Sequence, residues 1–318
     1  MEQLKNKIKE ARPNIRDSSM SMYLKNLNKL NKEIGNKNNL FSLKVLEDKK
    51  AVDSFLSSKA DSTKKNYYAS IVVLLMLDND NEKLIDEYRV DMEAIGSKLK
   101  EKMSKNKKSE KQQNAWTTVA ELQKVIKDYN HEINAKKLFK KTALTTSEFD
   151  LIQRWVVANL YVGDEENPPV RADYGFMGVI RSSEYNRMNK DQLKNNYLVI
   201  RSPSKKFFHF GDFKTSSKYE PVQIPVGKKL NTVLNKWLKV NNSGWVLVNK
   251  DNSPMSPNQL SKYVTKTFSP LGKSGLGISM LRHIVISEKF PPQTEEKEEL
   301  AEKMMHSVNV QQGVYAKQ

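Results

Sequence analysis

No proline occurs between Pro13 and Pro168. A proline inside a helix removes a hydrogen bond and clashes with the preceding turn, so this stretch can be helical wherever its apolar pattern asks for it. Its first part holds three amphipathic segments. Ser18 and Ser19 stand before Met22, Leu24, Leu27 and Leu30, which recur at helical spacing. Ser62 and Thr63 precede a second segment, Lys64 to Leu77, with Tyr67, Ile71, Leu74 and Leu75 inward, and a third covers about Asp86 to Met103. The pattern predicts a small helical bundle over 1–104 with a lysine-coated outer face.

The run Lys105 to Gln113 holds no apolar residue and reads as a basic linker, drawn over 105–114. Helical periodicity resumes over Thr118 to Asn134 and Thr146 to Val162. The period then changes. Tyr197 to Arg201, Lys206 to Phe210 and Pro221 to Pro225 are short β-prone stretches set between turn residues, and they read as a small antiparallel sheet. Helices follow over Lys229 to Leu238, Pro257 to Thr267, Ile278 to Lys289 and Thr294 to Met305. The expected fold class is mainly α with a small antiparallel β-sheet (α+β), with a second domain over 115–318.

The formal net charge is +17, which points to a polyanionic partner, most simply nucleic acid. Part of that charge comes with a general enrichment in Lys and Asn. Arginine is scarce, so each arginine marks a place where a planar, bidentate fork matters more than charge alone. The chain has no cysteine, which excludes a disulfide framework and thiolate metal sites and fits a reducing, intracellular location. Its start lacks the apolar stretch of a secretory signal, and its longest apolar run, Ile71 to Leu77, is too short to cross a bilayer.

Five residues in order carry the chemistry: Arg171 after Pro168-Pro169-Val170, Lys214 in Phe213-Lys214-Thr215, Arg282 in Leu281-Arg282-His283, then His306 and, nine residues on, Tyr315. A tyrosine hydroxyl can attack a DNA phosphodiester and form a 3′-phosphotyrosyl ester that conserves the bond for religation. Two guanidinium forks suit the non-bridging oxygens of the transition state. A lysine can protonate the departing 5′-oxygen, and a histidine can donate a hydrogen bond to the phosphate. Each residue alone has an ordinary reading. Tyr315 could be a surface tyrosine and His306 a helix-end histidine, and Lys205, Lys206 and Lys218 lie close enough to Lys214 to compete for its role.

Taken together, the ordered set resembles the tyrosine recombinases of the phage-integrase family, and within it the integrases of virophages, large DNA viruses and related mobile elements. The likeness rests on Pro-Pro-x-Arg opening a helix at Arg171, Lys-Thr on a hairpin at Lys214, Leu-Arg-His at 281–283 and the His306–Tyr315 interval, and it covers roughly 115–318. It implies a site-specific integrase acting on double-stranded DNA, with a helical core-binding domain and a catalytic domain closing as a C-shaped clamp. It further implies strand exchange in a homotetramer, without cofactor, metal or small-molecule substrate. The family usually places a histidine or lysine three residues before the second arginine, where this chain has Ser279. Ser279 is therefore a weak member of the set, and so is His283, which also occurs in the family and there reads as a packing residue. The alternatives are a type IB topoisomerase using the same chemistry as a monomer, and a catalytically silent DNA-binding relative. Other motifs fail: Gly272-Lys273-Ser274 lacks the leading glycine of a phosphate loop, since Thr267 stands there, and His131-Glu132 lacks a second histidine.

Overall fold

The proline-free first part of the chain forms helices α1 (Glu2–Ala11), α2 (Asp17–Ile34), α3 (Lys44–Glu47), α4 (Lys49–Leu56), α5 (Asp61–Leu75) and α6 (Glu82–Ser104). The structure is a computed structural model and describes residues 2–35, 44–77, 81–104, 108–290, 294–307, 310, 314 and 315. The chain divides into two compact units, Met1–Lys105 and Asn106–Gln318. No described helix is long and apolar enough to cross a membrane.

In the first unit α5 is the central helix. It buries Tyr67, Tyr68 and the whole run Ser70 to Leu75, so it is apolar on every side rather than along one stripe. Leu27 and Leu30 of α2, Val52 and Leu56 of α4, and Ile85 and Tyr88 of α6 pack against it. Two buried tyrosines tie the bundle through their polar ends: Tyr88 donates to the Leu46 carbonyl at 2.7 Å and Tyr68 to Asp53 at 2.8 Å.

The second unit begins with α7 (Glu110–Ala115), which lies where the sequence reads as linker. Its polar composition hides a start signal: Ser109 and Gln112 form a reciprocal capping box. The first residues of that expected linker, 105–107, lie outside the described residues. Helices α8 (Val119–Ala135) and α9 (Thr146–Val162) follow, each opened by its own box, Thr118 with Glu121 and Thr145 with Glu148. Their apolar faces meet α11 (Lys228–Trp237), α12 (Pro257–Thr267) and α13 (Ile278–Lys289) in one core that includes Trp155, Tyr161, Leu234, Trp237, Leu260 and Leu281.

The sheet departs from the antiparallel expectation. It has four strands in the order β1 (Gly178–Arg181), β2 (Asn196–Ser202), β3 (Lys205–Phe210) and β4 (Val222–Pro225), and β1 pairs with β2 in parallel. The other two pairings are antiparallel. A parallel neighbour needs a crossover, and here α10 (Ser182–Tyr185) and a 3₁₀ turn, Gln192–Lys194, supply it. Alternation along β3 sends Phe208 and Phe210 to the main core, while Phe207 joins Ile180 and Val199 on the other face. After β3 the backbone passes so close to the preceding connection that a Cβ on Gly211 would lie 2.1 Å from the Leu193 carbonyl oxygen, so only glycine fits. The last helix, α14 (Thr294–Lys303), is followed by the described residues 304–307, 310, 314 and 315.

Candidate active site

Arg171 leaves the end of α9 through Pro168 and Pro169, which hold the chain extended. It precedes a 3₁₀ turn, Ala172–Tyr174, rather than opening the regular helix expected from the sequence. Tyr161 of α9 donates to the Arg171 carbonyl at 3.0 Å and stacks edge-on against Tyr174, fixing the turn from below. The guanidinium Nη1 of Arg171 donates to the Met305 carbonyl at 3.1 Å. Thr215 Oγ1 reaches the same carbonyl at 3.4 Å. That shared acceptor brings the neighbour of Lys214 to the site, with the Lys214 side chain exposed on the β3–β4 connection.

Arg282 lies in the second turn of α13 and is 1% exposed. Its Nη1 donates to the Tyr315 hydroxyl at 2.5 Å and its Nη2 to the Met304 carbonyl at 3.3 Å. The guanidinium carbon stands 4.2 Å from the Tyr315 ring centroid. Burial pulls the Arg282 value down to about 10, against the attraction of Tyr315 and Asp173.

His306 and His283 flank the Tyr315 ring, with centroids 5.1 Å and 5.0 Å away. His306 Nδ1 is 3.1 Å from the Ser307 carbonyl, so in the neutral ring that nitrogen carries the proton and Nε2 presents a lone pair. Burial, then the Arg282 charge, holds His306 down at about 4, so it is neutral at physiological pH. Without DNA a neutral His306 with this tautomer accepts at Nε2; the donor role towards a phosphate expected from the sequence requires the protonated ring or the other tautomer. Ser279 is exposed one turn before Arg282, and no described contact joins it to the other site residues.

Three residues of the site carry no motif in the sequence. Asp173, two positions after Arg171, is pushed up to about 6 by burial, against the pull of Arg171 and Arg282. Asn196, at the start of β2, is fully engaged. Its Nδ2 donates to the carbonyls of Asp173 and Asp212, and its Oδ1 accepts from the amides of Gly211 and Asp212. It ties the Arg171 turn to the loop that bears Lys214. The third is Tyr161. Only Asp173 had an available signal, its closeness to Arg171. The competing Lys206 is removed from consideration, because its buried ammonium is held by the Pro203 carbonyl, Asn231 and Asn235 at 2.9, 2.8 and 2.5 Å.

Among the described residues, the buried side-chain atoms left without a hydrogen-bond partner are Asp173 Oδ2, Arg282 Nε and His306 Nε2. All three belong to this one site. Buried polar atoms are rarely orphaned unless something else completes them. A cavity of about 530 Å³ opens beside it, lined by Phe213, Tyr219, Pro221, Met305 and His306. No group of His, Asp and Glu able to hold a metal occurs among the described residues.

The two perturbed groups titrate against each other. Asp173 has a folded value above its ordinary one, so the stability it contributes is present in acid and lost as pH rises through about 6. His306 has a depressed value, so its contribution is present above the ordinary imidazole range and lost as pH falls towards about 4. Between those limits the slopes oppose. Asp173→Asn leaves the histidine slope alone and should make the melting temperature fall more steeply on acidification through this range. Thermal melts across pH check this; a slope equal to wild type would mean Asp173 does not titrate there.

Compared with known proteins, the chain matches no family model, no curated protein and no solved structure.

Proposed function

We propose that the chain is a tyrosine-dependent DNA strand transferase of the phage-integrase type, a site-specific recombinase that integrates a viral or mobile element. The observation that carries this reading is the convergence of Arg171, Arg282, His306 and Tyr315 around a site where Arg282 Nε and His306 Nε2 are buried and unpartnered. Two guanidinium groups beside a single phenol suit a tetrahedral anion next to a nucleophile. The basic chain supplies the long-range attraction to duplex DNA.

In this reading Tyr315 Oη attacks the phosphorus as its proton passes to a base, for which the adjacent His306 ring offers its unpartnered Nε2. The P–O5′ bond breaks, and Lys214 delivers a proton to the 5′-oxygen. The products are a 3′-phosphotyrosyl ester and a free 5′-hydroxyl, and reversal of the same steps rejoins a strand. Arg171 and Arg282 bind the non-bridging oxygens, where charge grows in the transition state. Tyr315 and Arg282 belong to the same chain, so this arrangement presents the nucleophile in cis.

The direct test is a nicked suicide substrate drawn from candidate element and host junctions, with mapping of the covalent 3′-adduct. Absence of any adduct across such a panel and on supercoiled plasmid would remove the reading. The proton donor has its own test. Lys214→Ala should be strongly impaired on ordinary DNA and largely rescued when sulfur replaces the bridging 5′-oxygen, because a thiolate leaves without a proton. Equal defects on both substrates would make Lys214 a phosphate ligand. Rescue in Lys218→Ala instead would move the role to that exposed neighbour.

A further inference from the structure

We propose that Gln112 is a positioning residue for the nucleophile, holding His283 in the one tautomer that anchors the main chain of Tyr315. The inference rests on the reading of Tyr315 as nucleophile, and its physical core is a chain of hydrogen bonds running from α7 to the C-terminal segment. Gln112 Oε1 accepts the Ser109 amide at 2.9 Å as part of the α7 capping box. Its amide nitrogen is thereby turned towards His283, with Gln112 Nε2 3.3 Å from His283 Nε2. An amide nitrogen only donates, so the facing ring nitrogen must present its lone pair. The ring proton then sits on Nδ1, which lies 3.0 Å from the Tyr315 carbonyl oxygen. Ser287 donates to that same oxygen at 3.2 Å.

The opposite tautomer breaks both ends of this chain. It sets Nε2–H against the Gln112 amide hydrogens and an Nδ1 lone pair against the carbonyl of Tyr315. Both contacts turn from attraction to repulsion, and of the two described bonds to the Tyr315 carbonyl only the one from Ser287 would remain. A nucleophile displaced by about 1 Å loses on the order of 100-fold in rate. Gln112 therefore acts through His283, touching neither substrate nor the reacting oxygen. His283, which from the sequence is a packing residue at the edge of the set, gains a defined task.

Gln112→Glu separates this role from a merely structural one. A carboxylate still accepts the Ser109 amide, so the capping box survives, but it now demands an N–H from His283 Nε2. The neutral ring then reverses its tautomer, and single-turnover adduct formation should fall about 10- to 100-fold with DNA affinity unchanged. Gln112→Met removes both contacts and should also lower adduct formation.

Nitrogen-15 spectra of the imidazole provide a readout independent of activity. They should show the proton on Nδ1 in the wild type and on Nε2 in Gln112→Glu at alkaline pH. Wild-type spectra with the proton on Nε2, or Gln112→Glu cleaving like wild type, would overturn the proposal. If the wild type forms no adduct on any substrate, it is the nucleophile reading that fails, and the spectra still decide the tautomer.

Discussion

Replacing Tyr315 by Phe should abolish the covalent protein–DNA adduct while leaving DNA binding in place. The substitution removes one oxygen and keeps the ring, so its tilted ring contacts with His283 and His306 persist. What is lost is the nucleophile, together with the acceptor for Arg282 Nη1. Leaving a buried charged donor unpaired costs on the order of 1–3 kcal/mol, so a modest fall in melting temperature should accompany the loss of chemistry. Denaturing gels of trapped suicide substrate, beside a binding titration, measure both. An adduct that persists in the mutant would assign the nucleophile elsewhere.

Arg282→Lys should lower the cleavage rate by about 100-fold or more, equivalent to about 2.7 kcal/mol of transition-state stabilisation. Arg282 presently serves two acceptors from one plane, the Tyr315 hydroxyl and the Met304 carbonyl, and keeps Nε spare. A lysine ammonium is a compact point charge on one nitrogen and cannot keep that spacing. It would also be buried where burial already disfavours the charged form of the arginine, so part of the lysine population would be neutral. Single-turnover cleavage at saturating protein separates this defect from weaker binding. Near-normal rates would make Arg282 a structural cation for the α14 end.

The longer helices from α2 onward are legible in the sequence because their apolar spacing is regular, whereas α1 and the short α3, α4 and α10 are not among the predicted segments. The parallel edge of the sheet is not, because β1 is only Gly178–Arg181 and its partner begins across a crossover at Asn196. Helix α7 is hidden by its own polarity: six residues without an apolar stripe show no period, although Ser109 and Gln112 carry the capping signature. In the site, the order Arg171, Lys214, Arg282, His306, Tyr315 is visible because those side chains have distinctive chemistry. Asn196 is invisible because its importance lies in four backbone groups supplied by two distant loops. The neighbouring lysines illustrate a third limit. Lys206 and Lys214 look alike as letters, and only the three oxygens around Lys206 separate a structural ammonium from an exposed one.

The carbonyls of Met304 and Met305 have one further consequence for catalysis under the proposed reading. Without DNA, Arg282 and Arg171 spend donors on these two neighbouring main-chain oxygens. When a phosphodiester arrives those two bonds are exchanged rather than newly made, and a swap between acceptors yields little net affinity in the ground state, while the unpartnered Arg282 Nε can add a new one. The balance changes as the phosphorus becomes pentacoordinate, since its oxygens gather charge that a peptide carbonyl never carries. The arginines then discriminate between the bound substrate and the reacting one, which is the condition for raising turnover rather than tightening binding.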